Sequence, residues 1–411
     1  MKINRLRLSN GLRIVHACDD TLQMVYVNIL YGVGARNEQY EYTGIAHLFE
    51  HLMFEGTPLV PSFDEPLERA GGENNAYTNN DITNYYISLP RQNAELAFWM
   101  ESDRMCNIQL TDESVAVQRQ VVIEEFKQEH LNRPYGDVSM LLRPMAFKHH
   151  PYRWSTIGRK PSHIAGVPVE VLREFYSRYY APDNAVLAVV GNISFEQVVE
   201  WSEKWFGAIP AKGYRCPELP VEPRQLRQRR KTVRRNVPQD ALYMVFKMGG
   251  RCDSDFFPCD VISDILSNGY SGRLMARLVR RDKIFTKIDA FVSDSIDPGL
   301  FSIYARVAEG VSVKEAEAAL WRELELLGRE LVPEDEIEKV RNRFESEHIF
   351  RNLSGENLAG NLAVAEWRGA AEQLFEEVAS YRRVTPREVR SAARELFRKG
   401  NSCVLHYLRK G

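Results

Sequence analysis

The 411-residue chain lacks any apolar run approaching the roughly 20 residues that a membrane-crossing helix requires. It also lacks a strong charge of either sign. The formal net charge is -2, so there is no global electrostatic case for nucleic acid or an anionic membrane. Cysteine is sparse: Cys18, Cys106, Cys216, Cys252, Cys259 and Cys403 are scattered without Cys-x-x-Cys pairing and read as reduced cytosolic thiols, not a disulfide framework. The opening stretch "MKINRLRLSNGLRIVHACDD" has neither the continuous apolar segment nor the small-residue cleavage site of a signal peptide. These absences predict a cytoplasmic protein with no membrane or nucleic-acid partner. What is present is ordinary for a globular chain, 44% hydrophobic and 27% charged, and long enough for two or three domains or one fold built twice.

The pattern along the chain favours one fold built twice. "LSNGLRIVHA" carries an Asn-Gly hairpin signal, and "MVYVNILYGVGA" is β-branched and aromatic. Residues 75–89 read as strand, 92–131 as helix with Thr111 or Asp112 as an N-cap, 167–180 as helix, 184–194 as a buried strand and 195–207 as helix. Residues 211–236 hold prolines and then a dense Arg/Lys run, and read as a linker between an N-terminal half, 1–210, and a C-terminal half, 237–411. The basic run is a solvated connection or a strand edge; a nucleic-acid site would rest on that one run alone. After it, "ALYMVFKMGGR" (241–251) parallels "VYVNILYGVGAR" (25–36), and "NSCVLHYLRKG" echoes "NAVLAVVGNIS". The expectation is an α+β protein of two tandem αβ half-domains, each a mixed sheet with helices packed on one face.

Histidine is scarce, with nine in all, yet "GIAHLFEHLMFEG" (44–56) places two of them four apart with a glutamate between. At 100° per residue, with His47 at zero, Glu50 falls near 300° and His51 near 40°, while Ile45, Leu48, Phe49 and Leu52 lie between about 100° and 200°. The helix therefore has an apolar face for the core and, opposite it, both imidazoles and the carboxylate. A solvated polar face is the bland alternative, but a chance His-x-x-Glu-His match is on the order of one in a hundred in a chain this size. Imidazoles at i and i+4 project together and can share a tetrahedral Zn²⁺, with Glu50 one turn away and placed to take a proton from water. Catalytic zinc usually needs a third protein ligand. The helix "SVAVQRQVVIEEFKQEH" offers Glu124 and Glu125, with Val121, Val122 and Phe126 around them favouring partial burial. In the second half the positions opposite His47, Glu50 and His51 are Ile262, Ile265 and Leu266, which are apolar.

"GIAHLFEHLMFEGT", "LERAGGENNAYTNNDITNYYISLP" and "QRQVVIEEF" together resemble the pitrilysin and mitochondrial processing peptidase family, the inverzincin zinc peptidases. The resemblance covers essentially the whole chain and is most specific between 33 and 131. It implies half of a clamshell, in which a metal-binding half is paired with a degenerate one. It implies that His47, His51 and Glu125 bind zinc, with Glu125 lying 74 positions beyond His51 (125 − 51), and that Glu50 is the general base. Asn75 and Ala76 match the family's Asn-Ala pair beside a peptide-binding edge strand. The family's acidic residue seven before the ligand glutamate is here Gln118, which is expected to support a zinc histidine by a hydrogen bond without adding charge.

A second departure lies in the other half. Family peptidases use an arginine and, seven residues on, a tyrosine to orient substrate and stabilise the oxyanion. Aligned on "SGRLMARLVRRDKIFTKIDAF", these positions fall at Val279 and Thr286, or after a one-residue slip at Arg280 and Lys287, and no tyrosine lies from 271 to 303. The resemblance thus implies a zinc endopeptidase subunit that acts on extended or unfolded peptides. It would depend on a paralogous partner for the Arg/Tyr pair, as a heterodimer in preference to a homodimer. The alternative is a non-catalytic assembly or peptide-holding subunit of the same fold.

Overall fold

The structure, a computed structural model, describes residues 2–410. It contains two mixed sheets. The first is formed by β1 (Ile3–Arg7), β2 (Arg13–Cys18), β3 (Met24–Tyr31), β4 (Glu73–Thr78), β5 (Thr83–Pro90) and β6 (Ala185–Gly191), ordered β1-β2-β6-β3-β5-β4. The second is formed by β7 (Arg229–Arg235), β8 (Ala241–Lys247), β9 (Phe285–Val292), β10 (Leu300–Val307) and β11 (Ser402–Arg409), ordered β7-β11-β8-β10-β9. Each sheet has one parallel pair, β2 with β6 and β7 with β11; the other pairs are antiparallel. With β1 set aside, the two orders coincide strand for strand. β3 corresponds to β8 and β6 to β11, the same pairs whose sequences echo one another, so the duplication is present in the topology.

Around the sheets run α1 (Ile45–Leu52), α2 (Asp112–Phe126), α3 (Val138–Ala146), α4 (Phe256–Ser267), α5 (Val313–Arg329), α6 (Gly355–Arg368) and α7 (Pro386–Leu396), among other helices. Local chemistry sets their ends. Thr111 accepts the Ser114 N–H at the start of α2, and Thr385 with Glu388 forms a capping box ahead of α7. No helix among the described residues is long and apolar enough to cross a membrane.

The sheets belong to two compact units, and neither unit is contiguous in sequence. One takes the chain up to Gln128, Trp154–Leu219 and His348–Glu376; the other takes Glu129–Arg153, Pro220–Glu347 and the chain from Glu377 onward. This division differs from the linear one expected, 1–210, 211–236 and 237–411, and β7 lies inside the stretch read as a linker. The reason is that each sheet has two apolar faces. In the first unit Val15, Leu30, Val186 and Val190 pack against Leu358 and Leu362 of α6. In the second, Leu242, Met244 and Phe246 lie under α4, α5 and α7. Its opposite face, with Tyr243, Val245 and Leu405, is covered by Val138 and Leu142 of α3. Periodicity shows that a helix has an apolar stripe but not which sheet that stripe will cover.

One carboxylate pins the segment that carries α3. Glu222 accepts the backbone N–H groups of Lys148, His149 and His150 at 2.8, 2.8 and 3.2 Å, and the Lys247 ammonium at 2.8 Å. Burial alone would raise its pKa, but Lys247 and the three N–H groups hold it down to about 2, against an ordinary 4.5. A carboxyl depressed on folding stabilises the fold above its unfolded pKa and loses that contribution as pH falls from about 4.5 toward 2. Glu222→Gln is therefore expected to flatten this part of the acid-stability curve, measured as denaturation midpoints of both proteins between pH 2 and 5.

Candidate metal centre

The helix α1 is eight residues long, and Ile45, Ala46, Leu48, Phe49 and Leu52 are buried along it. Phe49 stacks on Phe175 and Tyr176 with ring centroids at 5.4 and 6.2 Å, and the Tyr85 hydroxyl donates to the Phe49 carbonyl at 3.3 Å. This packing fixes the face that carries His47, Glu50 and His51.

The N-terminus of α1 has an unusual acceptor. Its cap position is Gly44, at φ +95°, which has no side chain to receive the first N–H groups. Glu38, 7% exposed, supplies both oxygens instead, accepting the Gly44 and Ala46 N–H groups at 2.9 Å each. Burial pushes this carboxyl up to about 8 even though those N–H groups favour its ionised form. Sequence reading missed Glu38. The signal was the absence of any Ser, Thr, Asp or Asn at the cap, which obliges a remote acceptor.

Opposite the core, His47, His51 and Glu125 converge, with ligand atoms all within 4.8 Å of one another. His47 Nε2 and His51 Nε2 stand 3.7 and 3.5 Å from Glu125 Oε2. The imidazole planes are near perpendicular, at 85°. Burial lowers the His47 pKa against the opposing pull of Glu125 and Glu50, which favours the neutral imidazole that a metal requires. On α2 the neighbouring glutamates point in different directions. Glu124 is exposed and bonded to the Lys127 ammonium at 2.6 Å, whereas Glu125 faces the histidines. Of the apolar neighbours, Val122 and Phe126 are buried, but Val121 is 44% exposed on the outer face and gives the pair no shelter.

Glu50 carries a buried oxygen, Oε2, without a hydrogen-bond partner, on the same helix as the two histidines. Such an atom is costly unless something protic meets it. Two imidazoles and a carboxylate are also the donor set of a three-ligand catalytic zinc site, so the residues present fit that metal.

Gln118 departs from expectation. It bonds neither histidine: its amide Nε2 donates to Glu55, and its Oε1 is buried without a partner. Glu55, just beyond α1, is a charged acceptor that takes the amide. Asn75 and Ala76 lie on β4, the edge strand of the first sheet, and Asn75 Oδ1 accepts the Ala76 N–H at 2.8 Å. In the second unit Ile262, Ile265 and Leu266 of α4, the topological counterpart of α1, are fully buried.

Comparison with known proteins separates a histidine-bearing stretch of sequence from an apolar one. The family model described as insulinase (peptidase family M16) matches residues 13–159, and the one described as peptidase M16 inactive domain matches 166–344. The zinc protease PqqE of Helicobacter pylori is 28% identical over 88% of this chain and 83% of its own. The crystal structure of a protease from Helicobacter pylori superposes with a TM-score of 0.93 at 26% identity, covering 99% of each chain. Pitrilysin has the same fold at a TM-score of 0.79 and 18% identity, but the match takes in only 45% of its chain. With a histidine-bearing unit, an apolar counterpart and matches to both family models, the chain belongs to peptidase family M16.

Proposed function

We propose that the protein is a zinc-dependent endopeptidase subunit. The observation that carries this reading is the convergence of His47, His51 and Glu125, with the unpartnered carboxylate oxygen of Glu50 on the same helix as the two histidines. Bound zinc would supply Lewis acidity toward a scissile carbonyl and acidify water beside it. Glu50 accepts the proton that water loses as its oxygen adds to the carbonyl carbon, and returns it to the departing amine nitrogen as the C–N bond breaks. His47, His51 and Glu125 hold the metal, with α1 fixed from behind by Phe49 and at its start by Glu38. The β4 edge offers main-chain groups to an extended peptide, a mode that accepts many sequences, and this supports a binding role for Asn75 and Ala76.

The partner is part of the same proposal. A paralogous subunit that carries the Arg/Tyr pair completes the site by closing on this chain as the other half of a clamshell. The match to under half of the pitrilysin chain supports a second unit of this size. The name of the Helicobacter relative supports zinc.

Zinc content tests the ligand set. The purified chain is expected to hold about one zinc per chain. Glu125→Gln is expected to lose it and Glu124→Gln to retain it, read by atomic absorption after dialysis. Loss in the Glu124 variant alone would overturn the assignment.

A further inference from the structure

The basic run of residues 224–235 is not used by the zinc chemistry, yet the fold gives it a place. Its strand, β7, lies at the edge of the second sheet, parallel to β11. Beside it, between the β7 side-chain row and α5, runs a groove of about 700 Å³. That volume is in the range of ligand-binding clefts, about 300–1,000 Å³. One stripe of α5 forms a wall, from Lys314 through Ala318 to Arg322 and Glu325, and Arg230 and Thr232 form the other.

The centre of the groove is internally neutralised. Glu317, 7% exposed, accepts Arg230 Nη1 at 2.7 Å, the Trp321 indole N–H at 3.2 Å and His406 Nε2 at 2.7 Å. Glu325 is paired with Arg329 at 3.3 Å. That leaves Lys314, Arg322 and Lys399 lining the groove with no ion pair among the described residues; Asp282, itself held by Arg281, is the acidic group whose field reaches Arg322. The groove therefore has a saturated polar floor and cations around it.

Spacing selects the ligand shape. Lys314 and Arg322 are eight residues apart on one helix, about 12 Å along its axis. A compact anion such as a single phosphate meets one of them at a time. An extended peptide rises about 3.3 Å per residue, so carboxylates four residues apart stand about 13 Å apart. We propose that this groove binds an extended acidic peptide segment, its carboxylates on Lys314, Arg322 and Lys399 and its polar backbone along Thr232. The proposal is independent of the zinc reading.

The test measures fluorescence anisotropy of a short labelled peptide of alternating glutamate and glycine. It is added at low salt to the full-length Glu50→Gln protein, which leaves the peptide uncut. Saturable binding is expected. Adding Lys314→Gln and Lys399→Gln should weaken it roughly five- to tenfold, as expected for two lost partly exposed charge pairs. Adding His51→Ala, or Lys160→Gln with Lys212→Gln as an equal change of charge elsewhere, should leave it unchanged. Binding that ignores Lys314 and Lys399, falls equally with Lys160 and Lys212, or disappears with His51 overturns the proposal. So does inorganic pyrophosphate displacing the peptide at concentrations below the peptide's own Kd, since that assigns the groove to a compact anion.

Discussion

Glu50→Gln is expected to fold, to keep its metal and to hydrolyse peptides about 10²-fold or more slowly than the parent. The substitution preserves shape and removes basicity. Glutamine can accept a hydrogen bond from water but cannot take its proton, and the amide adds a donor where the structure has a bare buried oxygen. Metal retention is expected because Glu50 is not among the three converging side chains, His47, His51 and Glu125, that could hold it. The measurement pairs turnover of an unstructured fluorogenic peptide, in an assembly where the parent is active, with zinc content and melting temperature. Near-normal turnover with zinc in place would remove Glu50 from the proton-transfer role. A collapse of all three readouts together would make it a structural residue.

The second large effect is expected in the chain by itself. Val279, at the ungapped arginine position, lies in the π-helical turn Met275–Arg281 and packs against the second unit's core. Its apolar role there leaves it no donor for a substrate carbonyl. Thr286, at the tyrosine position, is on β9, where its hydroxyl accepts the Gln239 amide at 2.7 Å. The slipped register offers Arg280, which is exposed, but then places Lys287 where the phenol belongs. Loss of one oxyanion donor commonly costs about 10²–10³ in rate, so a chain without both is expected to be close to inert. Adding a paralogue that bears the Arg/Tyr pair should restore turnover by at least that factor. A second copy of this chain should not, because it repeats the deficiency. Robust, chelator-sensitive cleavage by the purified chain alone would refute the partner requirement.

Most of the fold and the shared face of the candidate site were legible because both are written in local periodicity. His47, Glu50 and His51 share a face by the helical repeat, and β3 and β8 are recognisable as buried strands preceding corresponding helices. The choice between Glu124 and Glu125 needed either the family spacing or the structure, since a helix turns only 100° between neighbours and both stood in apolar company. Gln118 was misjudged because its competitor, Glu55, lies 63 positions away, and no pattern on α2 announces it. The bare cap at Gly44 signalled that some acceptor was needed but not that it is Glu38, because backbone N–H groups carry no residue-specific mark. The extent of each unit was illegible because it depends on which of two apolar sheet faces a distant helix covers.

That exchange of segments bears on how the chain can be divided. A cut in 211–228, where composition invites one, would yield a first fragment without α6 and a second without α3. Each fragment would expose one whole apolar sheet face to water, Val15, Val186 and Val190 on one side and Tyr243, Val245 and Leu405 on the other. Such fragments are expected to aggregate when expressed singly and to rescue one another when expressed together, each carrying the helix its counterpart is missing. The two halves, for all their shared topology, are therefore not separable modules.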